Sequence, residues 1–332
     1  GAGEVIGGTQ IWTNMDISLV TPAGKHSRTG NWTTAARWSR ILRALGHDVT
    51  ISEQDERCDA DMMIAIHAWR SAASIARYAD ARPDRPLVVC LAGTDIYRFQ
   101  HSHPQETLSS MDVANALVCL HDLVQLSVPE QFQNKLQVIH QSAPPLVTPR
   151  RPSIRTFDVC VIGHLRDEKD PLRAAFAARL MPPESRLRIV QLGRAHNQHW
   201  ESLATTEMAG NSRYVWRGEV PGGEVRKLMS RSHAMVISSI AEGGANVVSE
   251  AIVAGVPVLA SDIQGNVGLL GSDYAGTFPV EDTEALAALL SKTENEPEFL
   301  AHLRSQCGRR ATLFSPAREA GAWKRLLLEL TG

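Results

Sequence analysis

Short apolar runs alternate along the chain with longer segments whose apolar residues recur every three or four positions. That rhythm predicts strands and helices in turn, and hence a mostly parallel, doubly wound α/β sheet in each half. Asp16–Val20 reads as a strand followed by a Gly/Ser loop. Asn31–Leu45 then carries Trp38, Ile41, Leu42 and Leu45 on one helical face and stops at Gly46. Asp48–Ser52 and Met62–Ile66 read as strands, with a helix around Ser71–Ala79. Leu87–Leu91 is a continuous apolar run suited to a strand covered on both faces, and Asn115–Cys119 and Leu136–Ile139 complete this half. Residues 142–155 include prolines 144, 145, 149 and 152 and show no periodicity, which marks a linker. The rhythm restarts with strands at Phe157–Ile162, Leu187–Leu192, Arg213–Trp216, Ala234–Ser238 and Val256–Ala260. The last segment, Pro316–Leu330, is amphipathic and long enough to pack back on the first half. The opening GAGEVIGGTQIWTN, residues 1–14, looks like an appended remnant and not a fold element, so the fold is argued from Met15.

Length changes the picture by dividing it. At roughly 100–200 residues per domain, 332 residues predict two domains: a lobe over 15–141, the linker, a lobe over 156–314 and a returning helix over 315–332. Charge narrows the chemistry. With 34 Lys+Arg against 36 Asp+Glu, the net of −2 excludes a nucleic-acid binder that works by bulk positive field. The 43% hydrophobic content is enough for two cores. The longest uninterrupted apolar stretches, such as Pro86–Ala92, fall far short of the ~18–20 residues of a bilayer span, and no secretory signal pattern is visible. Five cysteines, at 58, 90, 119, 160 and 307, include no CxxC pair and read as reduced, packed thiols of a cytoplasmic protein.

The stretch Ser238-Ser239-Ile240-Ala241-Glu242-Gly243-Gly244-Ala245-Asn246-Val247-Val248-Ser249-Glu250-Ala251 carries the most chemistry. A strand ends near Ser239, a Gly-rich turn follows and a helix begins near Asn246. Gly243, Gly244 and Ala245 let the backbone approach a ligand, and the free N–H groups of a first helical turn favour an anionic oxygen. Glu242 and Glu250, spaced E-x7-E, would be repelled by a phosphate and are better suited to accepting hydrogen bonds from sugar hydroxyls. Together these parts describe a nucleotide sugar; an ordinary capped helix with two surface glutamates is the plain alternative. After the strand Phe157–Ile162, Arg166 and Lys169 lie three apart, so both can reach one diphosphate and stabilise its departure without a metal. A solvated charge run is the alternative there, since Asp167, Glu168 and Asp170 surround them.

These residues give the second half a resemblance to the donor domain of retaining-type GT-B glycosyltransferases, the large GT4-like group with E-x7-E and an Arg/Lys pair. The resemblance extends to Gly255-Val256-Pro257-Val258 and Ser261-Asp262. It implies that Arg166 and Lys169 bind the diphosphate, Glu250 the ribose and Glu242 the donor sugar. In the first half, four segments resemble the selenosugar synthases of selenoneine biosynthesis. They are Thr21-Pro22-Ala23, Gly30-Asn31-Trp32-Thr33-Thr34-Ala35-Ala36-Arg37-Trp38, Ala65-Ile66-His67-Ala68-Trp69-Arg70-Ser71-Ala72 and Leu91-Ala92-Gly93-Thr94-Asp95-Ile96-Tyr97-Arg98. That family joins selenophosphate to the sugar of a UDP-sugar. Basic residues are usual there at the positions of Trp32 and Trp69, where this chain departs from the pattern.

The first-half residues fit an acceptor lobe on their own chemistry too. Gly30, Asn31 and Thr34 at a helix start offer donors to an anion, and a plain N-cap would look the same. His67 and Thr94-Asp95 follow apolar strands, which places them at carboxyl ends where such sheets bind ligands; Asp95 could orient His67 or a sugar hydroxyl. Arg70 and Arg98 could each pair with phosphoryl oxygens, or be ordinary surface arginines. Asp59-Ala60-Asp61 has D-x-D spacing but precedes a strand, and His101/His103 and His196/His199 lack zinc spacing, so no metal site is expected. No G-x-G-x-x-G or P-loop is present, and no cofactor is expected. The expectation is therefore a GT-B enzyme, two Rossmann-like lobes with parallel sheets facing a cleft, that makes a C–Se bond between a UDP-sugar and selenophosphate. It would bind no nucleic acid or membrane, and a functional link to a selenophosphate-producing enzyme is the partner it suggests. Catalytic roles fall on His67, Asp95, Arg166 and Lys169. An oxygen-acceptor glycosyltransferase, a nucleotide-sugar epimerase and a non-catalytic sensor of sugar nucleotides are the alternatives.

Overall fold

A computed structural model describes residues 4–6, 9–11, 14–24 and 30–332. Glu4–Ile6 (β1) and Thr9–Ile11 (β2) pair antiparallel, so the opening stretch, expected to add no element, carries a small ribbon. The chain divides into two compact units, residues 1–141 with 316–332, and 142–315.

In the first unit the strands are β3 (Asp16–Val20), β4 (Asp48–Ser52), β5 (Met62–Ile66), β6 (Leu87–Cys90), β7 (Ala116–Cys119) and β8 (Leu136–Val138). They form one sheet in the order β4-β3-β5-β6-β7-β8, and every pairing is parallel. β5, β6 and β7 are wholly buried, which is why they read as unbroken apolar runs instead of alternating ones. Helices α1 (Gly30–Ala44), α2 (Ala72–Ala81), the short α3 (Gln100–Ser102) and α4 (Pro104–Val113) supply the cover. Between β6 and α3 the chain makes a single π-helical stretch, Asp95–Phe99, which no sequence pattern had indicated.

The second unit repeats the plan with β9 (Phe157–Ile162), β10 (Leu187–Leu192), β11 (Tyr214–Trp216), β12 (Ala234–Ile237), β13 (Val258–Ser261) and β14 (Thr277–Phe278). Their order is β11-β10-β9-β12-β13-β14, again all parallel. The helices are α5 (Arg173–Arg179), α6 (Gln198–Gly210), α7 (Gly222–Arg231), α8 (Asn246–Ala254), α9 (Gln264–Leu270), α10 (Thr283–Asn295) and α11 (Pro297–Arg310). β13 starts two residues later than its apolar pattern suggests. The Val256 N–H is taken by the Ala251 carbonyl as α8 closes, and Pro257 has no N–H to give.

α12 (Pro316–Thr331) belongs to the first unit although it follows the second in sequence. Trp323, Leu326 and Leu327 enter the same core as Trp38 and Leu42, and the two indoles meet edge to face at 4.8 Å. Such a pair adds about 0.5–1.5 kcal/mol beyond the area it buries. Arg37 Nε donates to Glu319 Oε1 at 2.7 Å, and Trp38 Nε1 to Oε2 at 3.2 Å, so the buried carboxylate is matched. The proline-rich stretch is pinned to the second unit. Arg150 donates to the carbonyls of Gly255 and Ser232 at 2.6 and 2.5 Å, and burial lowers its pKa.

Candidate functional site

The second sheet has the order 3-2-1-4-5-6 when its strands are counted from β9, so the strand order reverses between β9 and β12. Connections after those two strands leave to opposite sides, which opens a crevice at their carboxyl ends. Arg166 and Lys169 follow β9, and Glu242 to Asn246 follow β12. The loops are stitched together: Ile240 N donates to the Glu168 carbonyl at 2.8 Å and Ser238 Oγ to the Asp170 carbonyl at 2.7 Å. Gly193, after β10, is the neighbour on the other side. A Cβ there would stand 1.7 Å from the Gly163 carbonyl oxygen, so only glycine lets the turn after β9 lie so close to it.

Lys169 Nζ forms an ion pair with Glu242 Oε1, and Ser239 Oγ donates to the same oxygen at 2.6 Å. Glu242 is 9% exposed. Arg166 is half-buried, and its guanidinium has no carboxylate or hydrogen-bond partner among the described residues. Gly243 and Gly244 are buried, Ala245 stands at the N-cap of α8, Asn246 opens that helix, and Glu250 is half-buried one turn along it. This brings all the second-unit candidates to one crevice edge: an unpaired cation, a neutralised cation and two carboxylates beside a helix start.

The first sheet counts 2-1-3-4-5-6 from β3, with its reversal between β3 and β5. Gly30 and Asn31 begin α1 after β3, and His67 and Arg70 follow β5, so these four flank the corresponding crevice. Here the polar groups point inward. Asp95 is 0% exposed, and its carboxylate accepts four backbone N–H groups: Gly93 and Ile96 on Oδ1 at 2.8 and 2.9 Å, Ala68 and Ala92 on Oδ2 at 2.9 and 3.0 Å. It makes no hydrogen bond to His67 and is closed off from a sugar hydroxyl, which corrects the expectation for it. His67 is equally committed. Nδ1 accepts from the N–H groups of Arg70 and Trp69 at 2.9 and 3.3 Å, so the proton sits on Nε2, which donates to Thr94 Oγ1 at 2.8 Å. Burial lowers its pKa, Asp95 opposes that and Arg70 adds to it, leaving a neutral ring with no free nitrogen. His67 is thus a framing residue instead of a proton carrier. Thr34 is also turned inward, donating to Gln141 Oε1 at 2.6 Å.

Arg70 and Arg98 behave differently. Both are exposed, neither has a carboxylate partner among the described residues, and both guanidinium groups lie against the Phe99 ring, at 5.4 and 5.1 Å from its centroid. Trp69 stacks on the same ring at 4.0 Å. The sequence reading missed Phe99, and it missed His121. That histidine follows β7 as His67 follows β5, a repetition that was open to view in the sequence. His121 is 0% exposed, accepts from Leu123 N at 3.1 Å, meets Tyr97 Oη at 2.8 Å, and is pushed down to about 4 by burial. Asp61 of the D-x-D triplet lies at the amino end of the sheet, where it accepts from Asp16 N at 2.9 Å. It lines a cavity of about 280 Å³ with Met15, Arg85, Pro86, Asn115 and Leu330, which contains none of the candidate residues. Among the described residues no three His, Cys, Asp or Glu side chains are grouped to hold a metal, and no helix is long and apolar enough to cross a membrane.

Residues 153–313 match the family described as Glycosyl transferases group 1. That segment is similar to the family over just under half of the chain. The matched segment covers both stitched loops, α8 and Glu250. No curated protein matches the chain. Among solved structures, the chain is similar to HepE of Anabaena in complex with UDP and glucose, at 16% identity over 95% of this chain and 100% of that one, with a TM-score of 0.75. It is also similar to sucrose-phosphate synthase of Thermosynechococcus elongatus, at 15% identity over 95% and 98% of the two chains, with a TM-score of 0.73. The pneumococcal O-GlcNAc transferase GtfA follows at 16% identity, 91% and 60% coverage and a TM-score of 0.61. These likenesses establish the GT-B fold.

Proposed function

We propose that the chain transfers the glycosyl group of a UDP-sugar, UDP-glucose or UDP-N-acetylglucosamine, to selenophosphate. The observation that carries the donor half is Arg166: a half-buried guanidinium without a counter-ion among the described residues, at the strand-order reversal of the segment that matches group 1 glycosyltransferases. A lone cation there is matched by a diphosphate, and the complexes of HepE with UDP and UDP-glucose support uridine as its carrier. Lys169 keeps donors to spare beyond the one it gives Glu242, so it can bridge that carboxylate and a phosphoryl oxygen. Gly243, Gly244, Ala245 and Asn246 present the start of α8 to the diphosphate, Glu250 accepts from the ribose and Glu242 from the donor sugar.

For the acceptor, the two arginines on Phe99, which have no carboxylate partner among the described residues, with Gly30, Asn31 and Thr94 near the same sheet end, suit a small phosphorylated anion. The selenium lone pair attacks the anomeric carbon. The bond from that carbon to UDP breaks, its electron pair goes to the β-phosphate, and Arg166 and Lys169 neutralise it without a metal. Water then cleaves the Se–P bond, giving a selenosugar and phosphate. Selenium preference rests on the resemblance of the first-half segments to selenosugar synthases.

Calorimetry with UDP and turnover of UDP-glucose with and without selenophosphate test this. Selenophosphate-dependent UDP release supports the proposal. Release that needs a hydroxyl acceptor reassigns the chain to oxygen transfer, interconversion of the sugar to an epimerase, and UDP binding without turnover to a sensor. Arg166→Ala should lower kcat/KM about 10²–10³-fold while leaving the fold intact, because it removes no partner from any other described side chain.

A further inference from the structure

The Glu242 carboxylate is asymmetric. Oε1 receives both Lys169 Nζ and Ser239 Oγ, whereas Oε2 receives no protein donor among the described residues. The sealed polar atoms without a partner include Ser249 Oγ and Asn266 Oδ1 but not Glu242 Oε2, so that oxygen is not shut away. A carboxylate fixed through one oxygen aims the other in a single direction.

What fixes it runs back through three buried residues. Ser239, Ser261 and Asn266 are 1%, 0% and 0% exposed. Asn266 Nδ2 donates to both the carbonyl and the Oγ of Ser261 at 3.0 Å, Ser261 Oγ donates to the Ser239 carbonyl at 2.6 Å, and Ser239 Oγ donates to Glu242. The same helical turn holds the Glu242 backbone. A Cβ on Gly265 would stand 2.0 Å from the Glu242 carbonyl oxygen, so α9 lies directly against that peptide. The backbone and the carboxylate of Glu242 are therefore located by one rigid corner, formed by the end of β13 and the start of α9.

We infer that Ser239 is a positioning residue: it turns the Glu242 carboxylate so that Oε2 faces the donor sugar and accepts one of its hydroxyls, making the Asn266–Ser261–Ser239 chain a determinant of which sugar is taken. This rests on the proposed UDP-sugar reading. Without Ser239 Oγ the carboxylate is held by Lys169 alone, a flexible point charge that fixes no rotation. The sugar hydroxyl then loses a directed acceptor, while UDP, which does not touch Glu242, loses nothing.

The test compares Ser239→Ala with Ser239→Thr, which keeps the hydroxyl. Expected for Ser239→Ala is UDP affinity within twofold of the parent, kcat/KM for UDP-glucose down about tenfold, and a narrowed preference between UDP-glucose and UDP-galactose, with the threonine variant restored towards the parent. Unchanged kcat/KM and sugar preference overturn the inference, and so does loss of UDP affinity in parallel with turnover, which would mark a structural residue. A second readout needs no donor. The chain has only six lysines, so NMR of the reductively ¹³C-methylated protein can follow Lys169. Its signal should move in Ser239→Ala and not in Ser239→Thr, and a Ser239→Ala signal identical to the parent overturns the inference. A parent protein that binds no UDP overturns the functional reading instead.

Discussion

At the carboxyl end of the first sheet, polar side chains close on their own backbone; at the carboxyl end of the second, they close on one another. Asp95 has all its acceptor positions filled by four peptide N–H groups, and both nitrogens of His67 are occupied. Glu242 is buried too, at 9% exposed, yet it holds one oxygen in a network and leaves the other unfilled by any donor among the described residues. A polar residue just after an apolar strand is therefore ambiguous until its valences are counted. Those that are complete hold the fold, and those left incomplete are available to a ligand. In the first unit that test selects Arg70 and Arg98 and sets aside His67, Asp95 and Thr34.

The largest effect that could break this contrast is expected at Asp95. Asp95→Ala leaves the buried N–H groups of Ala68, Ala92 and Gly93 without an acceptor, at about 1–3 kcal/mol each, so the first unit should lose on the order of 5 kcal/mol of stability in urea unfolding. A variant that stays as stable as the parent but cannot turn over substrate would return Asp95 to the reacting centre. Acid should come next. His121 titrates at about 4 in the fold and near 6.5 when unfolded, so below pH 6.5 the unfolded chain takes up a proton that the folded one refuses. Stability is full above pH 6.5 and falls by about 3 kcal/mol as pH drops to 4, with the lowered pKa of His67 acting in the same direction. Urea midpoints across that range should show the slope, and His121→Gln should flatten it. The smallest effect sharpens the contrast within the first unit. Arg98→Ala should raise KM for selenophosphate about tenfold with UDP affinity unchanged, and a fall in UDP affinity instead would show that the arginine serves the donor.

Much of the architecture was legible because buried parallel strands announce themselves as apolar runs. Met62–Ile66, Phe157–Ile162 and Leu187–Leu192 fall where the pattern puts them. The π-helical stretch at Asp95–Phe99 was not legible, because it follows from four N–H groups converging on one carboxylate and not from any periodicity. The corner proposed for the donor was visible as charge, since Arg166, Lys169, Glu242 and Glu250 stand at fixed spacing. The residues that orient them could not: Ser239, Ser261 and Asn266 are small, common, and joined by contacts 22 and 5 positions apart. Arg70 and Arg98 were readable as cations, but the ring that gathers them, Phe99, carries no charge or spacing signal of its own.

The return of α12 to the first unit sets a timetable for synthesis. The six strands of that unit's parallel sheet leave the ribosome before residue 142, whereas the helix carrying Trp323 follows only after all of residues 142–315 have been made. At about 5–20 residues per second, a nascent first sheet waits on the order of ten seconds or more with the indole of Trp38 uncovered. The later-made unit, contiguous along the chain, can mature during that wait, so the half translated first is the half completed last.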